Sequence, residues 1–500
     1  MPSQVELFVW IVSLLIAVYY GIRYASSYWK RQGIEQVDPT FPVGNFGAFF
    51  RGRSPFMAIC EDLYRVGRNK VIGIYILLQP MLLITDAELA RNILVRDFGN
   101  FHDRQSVPVD EQRDPLNSHL FSLAGERWKH MRGRLTPIFT SSKLRGMLTS
   151  LEESGKVLQS YLKEHAEAGR VVKISDLLAR YSIDNIASIV FGIRIDCISN
   201  PNEAFRVMGK KMFEPCFETN MRGLLNIVVP KANRFLKVNF VPGPVEKFFL
   251  DLVQSTAKHR DLSGVIRQDM MQLLLQLRNS GTVSQTDGQF ASLSLKEIAA
   301  HAFGFFLAGF ETSSTTMSFC LYELAKNPEI QRKVQQELDQ ILDKYDGQLS
   351  YEGTMEMRYL ECCIDETLRK YPPIPVLNRE CTIDYPVPGT DITIKKGTAI
   401  MIPVCALQRD PCHYPEPLKF KPERFLDQNL KDKPYAPFGE GPRACIGMRL
   451  GKILTKVGLA RMFSKFNFEL TERDQSELEL NPKIIILTPQ NGIRVRVSCR

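Results

Sequence analysis

The sequence predicts a mainly α-helical body with a few small β-sheets, preceded by a single membrane-crossing helix. Three observations carry this. Apolar residues recur at helical spacing over most of the chain beyond residue 47. Strand-like runs are short, confined to a few places, and bounded by Pro or Gly punctuation. Near the amino terminus, Leu7 to Ile22 (LFVWIVSLLIAVYYGI) carries no charge.

That uncharged run is slightly short of an ideal span but can extend through Tyr24 to Trp29, with Trp10, Tyr19, Tyr20, Tyr28 and Trp29 suited to the membrane interfaces. Arg23, Lys30 and Arg31 follow it and only Glu6 precedes it, so the body is expected on the cytosolic side. A cleaved secretory signal is the competing reading; it lacks a basic leading region, and Ala25-Ser26-Ser27 is a weak cleavage site. Residues 1–29 are therefore expected to anchor the chain and 30–46 to form a stiff hinge, because Asp38-Pro39-Thr40-Phe41-Pro42-Val43-Gly44 interrupts helix. The folded body is expected over 47–500.

Within the body, three strand pairs are expected. Val71–Leu77 and Met81–Ile84 flank a Gln79-Pro80 break, Ile392–Ile394 and Thr398–Pro403 flank Lys396-Gly397, and Ile484–Leu487 and Ile493–Val497 flank Asn491-Gly492. Ser294 and Glu297 form a capping box that opens a long helix running to about Ala325, and Asn327-Pro328 opens the next. The polar stretch Asn279 to Leu293 reads as a loop. Asn226 to Leu250, with Phe240-Val241-Pro242 and Phe248-Phe249, is a candidate for dipping into lipid.

Composition bounds the function classes. At 500 residues, 44% hydrophobic and 24% charged, the chain can bury a large core and is neither disordered nor collagen-like. Eleven Cys without paired spacing fit a reducing compartment. The net charge of +9 lacks a basic block interleaved with aromatics, so nucleic acid is not an expected partner; a membrane or an acidic protein is.

The segment Phe438-Gly439-Glu440-Gly441-Pro442-Arg443-Ala444-Cys445-Ile446-Gly447 sets a Cys in a Gly-punctuated loop just before a helical stretch from about Arg449. Glycines let backbone N–H groups approach the sulfur, and the helix's positive end favours the anion, so a lowered thiol pKa is expected. A buried structural Cys or a zinc ligand would be the plainer readings, but no second Cys or His lies nearby at metal-ligand spacing. In the long helix, Ala308-Gly309-Phe310-Glu311-Thr312-Ser313 places a Gly and a Thr where helix propensity favours neither. Gly309 could loosen the backbone ladder for water, with Glu311 and Thr312 passing protons; a back-bonded Thr beside a solvent-facing Glu is the alternative. Glu366 and Arg369 share a helix face that ends before Pro372-Pro373, and Trp128 and Arg132 lie one turn apart.

Taken together these segments resemble the cytochrome P-450 superfamily. Its haem-binding pattern F-x-x-G-x-R-x-C-x-G is matched at Phe438, Gly441, Arg443, Cys445 and Gly447, its A-G-x-E-T at Ala308 to Thr312, and its W-x-x-x-R at Trp128 and Arg132. The likeness spans nearly the whole chain, is strongest after Ser294, and is greatest to insect microsomal members. The hinge lacks the usual Pro-Pro-Gly-Pro, and Gln408 stands where a His is common.

The resemblance implies the cytochrome P-450 fold, with haem between the long helix (about 294–325) and the Cys loop, so that 47–500 is a haem-binding catalytic domain. Cys445 would be the axial ligand of the haem iron. Trp128, Arg132, Arg379 and Arg443 would bind propionates, Phe438 and Gly447 would shape the loop, and Thr312 and Glu311 would deliver protons. Glu366, Arg369 and Arg424 would form a supporting triad. Substrate would meet His119 to Phe121, Phe305, Ala308, Ile374 to Leu377 (Val376 among them) and Ile485 to Thr488 (Leu487 among them). Apolar residues at such spacing are also ordinary core.

The implied reaction inserts one oxygen atom from dioxygen into lipophilic molecules (xenobiotics, insecticides or endogenous lipids and hormones), with electrons from NADPH through a flavoprotein reductase. A b-type cytochrome is a further admissible partner, and the implied location is the endoplasmic reticulum membrane. Lys129, Arg134, Lys143, Arg145, Arg449, Lys452 and Lys456 would offer a docking face on the Cys side. A reductase-independent isomerase or dehydratase, or a non-enzymatic haem sensor or carrier, would leave Glu311 and Thr312 without a task.

Overall fold

The computed structural model describes residues 3–67, 69–104, 110–213, 239–280, 292–426, 433–475 and 478–500. Helices make up most of the body, and the longest, Leu295–Lys326, runs through its centre with every residue from Ser313 to Ala325 buried. Ser294 and Glu297 exchange the expected capping bonds at its start. The helix is continuous through Gly309, so no opening of its ladder is seen there. Gly309 serves packing instead: a Cβ at this position would collide with Ile186 Cδ1, on the helix Ile174–Ile186.

The amino-terminal helix, Gln4–Ser26, buries none of its residues and is long and apolar enough to cross a membrane. It begins ahead of the uncharged run because Ser3 and Glu6 cap it reciprocally. Trp29 is not left for a membrane interface. Its indole is 3% exposed, donates to the Ile74 carbonyl at 3.2 Å, and covers Gly73, where any Cβ would collide with the ring. The stretch expected to be a hinge is likewise docked. Val37 N–H donates to Gly73 O at 2.9 Å, Gly73 N–H to Glu35 O at 2.7 Å and Asn45 N–H to Tyr75 O at 2.8 Å.

Strands β1 (Val71–Ile76) and β2 (Gln79–Ile84) form a hairpin. Its turn lies at Leu77-Leu78, with Leu77 at φ 56°, and Pro80 falls inside β2. Two other expected hairpins do not form. β5 (Tyr385–Pro386) pairs with β6 (Thr393–Ile394), whereas β7 (Ala399–Ile402) crosses to the larger sheet, parallel to β2 and antiparallel to β4 (Leu377–Glu380). At the carboxyl end, β9 (Arg494–Cys499) pairs with β8 (Phe466–Leu470) and β3 (Val172–Lys173), not with 484–487. That apolar segment is held elsewhere, through Leu487 N–H donating to Pro373 O at 3.0 Å.

Of the stretch proposed to enter lipid, 226–238 lies outside the described residues, as does 281–291 of the expected polar loop. Much of the remainder turns inward: Val241, Val245 and Phe249 are fully buried, Phe249 packs against Phe191, Phe303 and Phe306, and among the large apolar side chains of 239–250 Phe240 is the exposed one.

Candidate active site

A cavity of about 1240 Å³ lies between the long helix and the Cys loop. The loop is shaped by two glycines in the left-handed region, Gly439 (φ 72°) and Gly441 (φ 70°). A Cβ on Gly441 would collide with the Leu94 carbonyl oxygen, so only glycine lets the loop seat against the Asn92–Arg96 turn. Cys445 N–H donates to Phe438 O at 2.8 Å, and the Cys445 side chain opens into the cavity. The helix Met448–Phe463 starts three residues further on, with Gly447 as its cap.

The expected lowering of the Cys445 pKa is not what the surroundings produce. Its depth in the protein pushes the thiol up, against the Gly447 N–H and the Arg132 and Arg104 guanidinium groups, which favour the anion.

Of the arginines that line the same cavity, Arg113 and Arg127 are engaged by Asn239 and Glu111, and Arg104, Arg132, Arg379 and Arg443 remain toward the Cys loop. Arg379 is 1% exposed; its Nη1 donates to Asn378 O at 2.8 Å and its Nε has no partner. Arg443 donates to His102 O (2.8 Å), Leu123 O (3.0 Å) and Asp103 Oδ1 (3.2 Å), stacks over Trp128 at 3.9 Å, and leaves Nη1 unpartnered. Burial drives Arg379 and Arg443 down to about 10 and, with repulsion from both, Arg104 to about 9. Buried cations with unused N–H groups require anionic partners. A flat ligand carrying two carboxylates on one edge would supply them, so these residues fit haem, with Cys445 on one side and Ala308 and Thr312 on the other.

Arg104 was not foreseen. It lies in an irregular loop with no periodicity, and only the tertiary structure brings it to Arg443, whose carbonyl it binds at 3.2 Å. Its guanidinium also stacks on Phe121 at 4.2 Å.

On the helix, Thr312 lines the cavity and donates its hydroxyl proton to Ala308 O at 2.6 Å, leaving oxygen lone pairs as acceptors. Glu311 is turned about 100° from it, is half-buried, and is not part of the cavity wall. Burial pushes its carboxyl up to about 7.

His119, Phe121, Phe305, Ala308 and Ile374 all line the cavity. Val376 and Leu487 do not: both are buried in the main apolar core, while their neighbours Leu377 and Ile486 face the cavity. Successive residues of an extended chain point opposite ways, and sequence alone did not fix the phase. His301, unforeseen, also lines the cavity, at the same helical spacing that pointed to Phe305 and Ala308.

Behind the loop, Glu366 and Arg369 are fully buried. Arg369 Nε and Nη2 donate to the Glu366 carboxylate at 2.7 and 2.9 Å, Lys421 N–H adds a third bond at 2.9 Å, and Arg424 Nε stands 3.4 Å away. Arg369 also donates to Gln408 O and Pro417 O.

The expected basic face is reduced. Arg134 is buried, Lys456 is buried against Glu361 and Thr354 O, Lys452 is paired with Glu361 and Asp365, and Arg145 with Glu352. Lys129, Lys143 and Arg449 stay exposed.

A mainly α body with a single Cys loop facing a long helix across a cation-lined cavity defines a haem-thiolate architecture. The family model described as Cytochrome P450 matches residues 39–497. Cytochrome P450 6d3 of Musca domestica is 39% identical, with 98% of each chain covered. Probable cytochrome P450 6d5 of Drosophila melanogaster is 37% identical over 98% of this chain and 99% of its own, and cytochrome P450 6a2 of the same organism 38% over 97% and 98%. The chain belongs to the cytochrome P450 family. It is a haem-thiolate monooxygenase, with NADPH as electron source through a reductase and lipophilic molecules as substrates. The apolar amino-terminal helix is consistent with anchoring in the endoplasmic reticulum membrane.

Proposed function

We propose that Cys445 is the axial ligand of the haem iron and that Arg104, Arg132, Arg379, Arg443 and Trp128 hold the propionate edge. The observation that carries this is the wall of buried, incompletely partnered guanidinium groups beside an accessible Cys in one cavity. When bound, the thiolate-ligated haem supplies reductive activation of dioxygen.

The protein's own residues then have distinct tasks. Phe438 accepts the Cys445 N–H and, with Gly447, fixes the sulfur's direction. Thr312, its proton committed to Ala308, presents an acceptor at the helix side of the cavity. Glu311, poised near neutrality, holds a proton on the adjacent helix face and passes it toward Thr312 through solvent. Glu366, Arg369 and Arg424 brace the segment behind the loop. His119, Phe121, Phe305, Ala308 and Ile374 enclose substrate and exclude bulk water.

The helix Gln4–Ser26 anchors the chain and the rest is the catalytic body on the cytosolic face, with Trp29 and 30–46 packed on it. A flavoprotein reductase, with a b-type cytochrome as alternate donor, docks at Lys129, Lys143 and Arg449. The test is turnover of a panel of lipophilic compounds by the reconstituted protein under isotopically heavy dioxygen. One heavy oxygen per product, dependent on NADPH and reductase, is expected; rearranged products formed without reductase would overturn the reading.

A further inference from the structure

Two histidines on the distal wall carry polar nitrogens that the reading above does not use: His119, placed there only as part of the substrate enclosure, and His301. His119 is 7% exposed and His301 1% exposed, and both line the cavity. Among the described residues, Nδ1 of neither ring has a hydrogen-bond partner. Burial lowers His119 to about 4 and His301 to about 3, so both rings are neutral at pH 7. Each therefore offers one N–H donor and one acceptor nitrogen.

The site is built to hold these rings. A Cβ on Gly304 would lie 2.8 Å from His119 Cβ, so the helix leaves room for the imidazole there. Their neighbours in sequence on the cavity wall, Leu120, Phe305 and Leu307, are apolar, while Arg104, Asp114 and Asn117 add polar groups to the same wall. Unpaired polar groups sealed in such a wall are costly unless a ligand completes them.

Position along the helix sets a length. His301, Phe305, Ala308 and Thr312 share one stripe. At 1.5 Å per residue, Gly304, which carries His119, is about 12 Å and His301 about 16 Å from Thr312. An oxygen held between the two imidazoles therefore lies on the order of 10 Å or more from the Thr312 end of the cavity. Arg104 beside His119 disfavours a cationic ligand.

We propose that His119 and His301 form a hydrogen-bonding subsite for an uncharged lipophile that carries a carbonyl or hydroxyl oxygen on the order of 10 Å from the carbon to be oxidised. The inference rests on the cavity between the long helix and Cys445 being the substrate pocket. The imidazoles hold the polar end and leave the apolar end at Thr312. Ketones, alcohols and esters of lipophilic skeletons are the favoured class over plain hydrocarbons and amines.

The test uses the haem-loaded full-length protein in detergent, with equilibrium dialysis of 4-phenylcyclohexanone and its oxygen-free counterpart phenylcyclohexane. The ketone should bind about tenfold tighter per hydrogen bond gained. His301→Leu should remove most of that preference while hydrocarbon binding stays within about twofold, and His119→Phe, in the wall that encloses substrate, should weaken ketone binding more than hydrocarbon binding. The carbonyl stretch of the ketone bound to the unmodified protein should shift to lower frequency than in an alkane. An undiminished ketone preference in both variants, or an unshifted carbonyl, overturns the subsite. Failure of both probes to bind the unmodified protein overturns the pocket assignment itself.

Discussion

Replacing Glu311 by Gln separates what this residue costs the fold from what it gives the reaction. Burial raises its carboxyl from 4.5 to about 7, with no compensating cation among the causes. The folded state therefore binds its proton more tightly than the unfolded state, so the wild type loses stability as pH rises from 4.5 through 7 and then levels off. The shift corresponds to roughly 3 kcal/mol. Gln keeps the shape without the charge. Glu311→Gln should then match wild type near pH 4.5 and be more stable above pH 7, by about 3 °C in Tm for a chain of this size.

Turnover should move the other way. Removing the proton donor should lower it about a hundredfold and abolish the fall in wild-type rate expected above pH 7, where the carboxyl ionises. Thermal unfolding of the holoprotein and reductase-driven turnover, both followed from pH 5 to pH 9, read the two effects. A variant no more stable than wild type at pH 8, with an unchanged rate profile, would refute the reasoning.

Three further predictions concern the frame. Arg369→Leu leaves the fully buried Glu366 with Arg424 at 3.4 Å as its remaining ion-pair partner among the described residues, and should cost about 3–5 kcal/mol, read as an earlier denaturant midpoint. Gly441→Ala places a Cβ against the Leu94 carbonyl at a φ of 70°; haem incorporation should fall sharply, measured as the haem-to-protein ratio after purification, and an unchanged ratio would contradict the loop packing. Lys143→Glu with Arg449→Glu should slow reductase-driven haem reduction severalfold at low salt. Lys452→Glu should instead lower stability, because Lys452 is already paired with Glu361 and Asp365.

Much of this was legible because it is local. The Cys loop is contiguous, the Ser294–Glu297 box marks a helix start by side-chain chemistry alone, and Glu366 and Arg369 meet through helical spacing. What was illegible depends on partners distant in sequence. The β7 strand joins β2 and β4 rather than its chain neighbour β6, since pairing follows which strand is brought alongside, and the 484–487 run is held by Pro373 instead of forming a hairpin. Val376 and Leu487 were misassigned because the phase of an irregular segment is set by packing. Arg104 had no periodic context at all. A related limit applies at Cys445: glycines and a helix start are visible in sequence, but the desolvation that pushes the thiol up against them is not.

The central claim is that Cys445 binds the haem iron as a thiolate. The direct measurement is the absorption spectrum of the folded, haem-loaded, reduced protein under carbon monoxide, alongside Cys445→His. The unmodified protein should show the spectrum of sulfur-ligated iron and the variant that of nitrogen-ligated iron. A histidine-type spectrum from the unmodified protein, or a sulfur-type spectrum that survives the substitution, would contradict it.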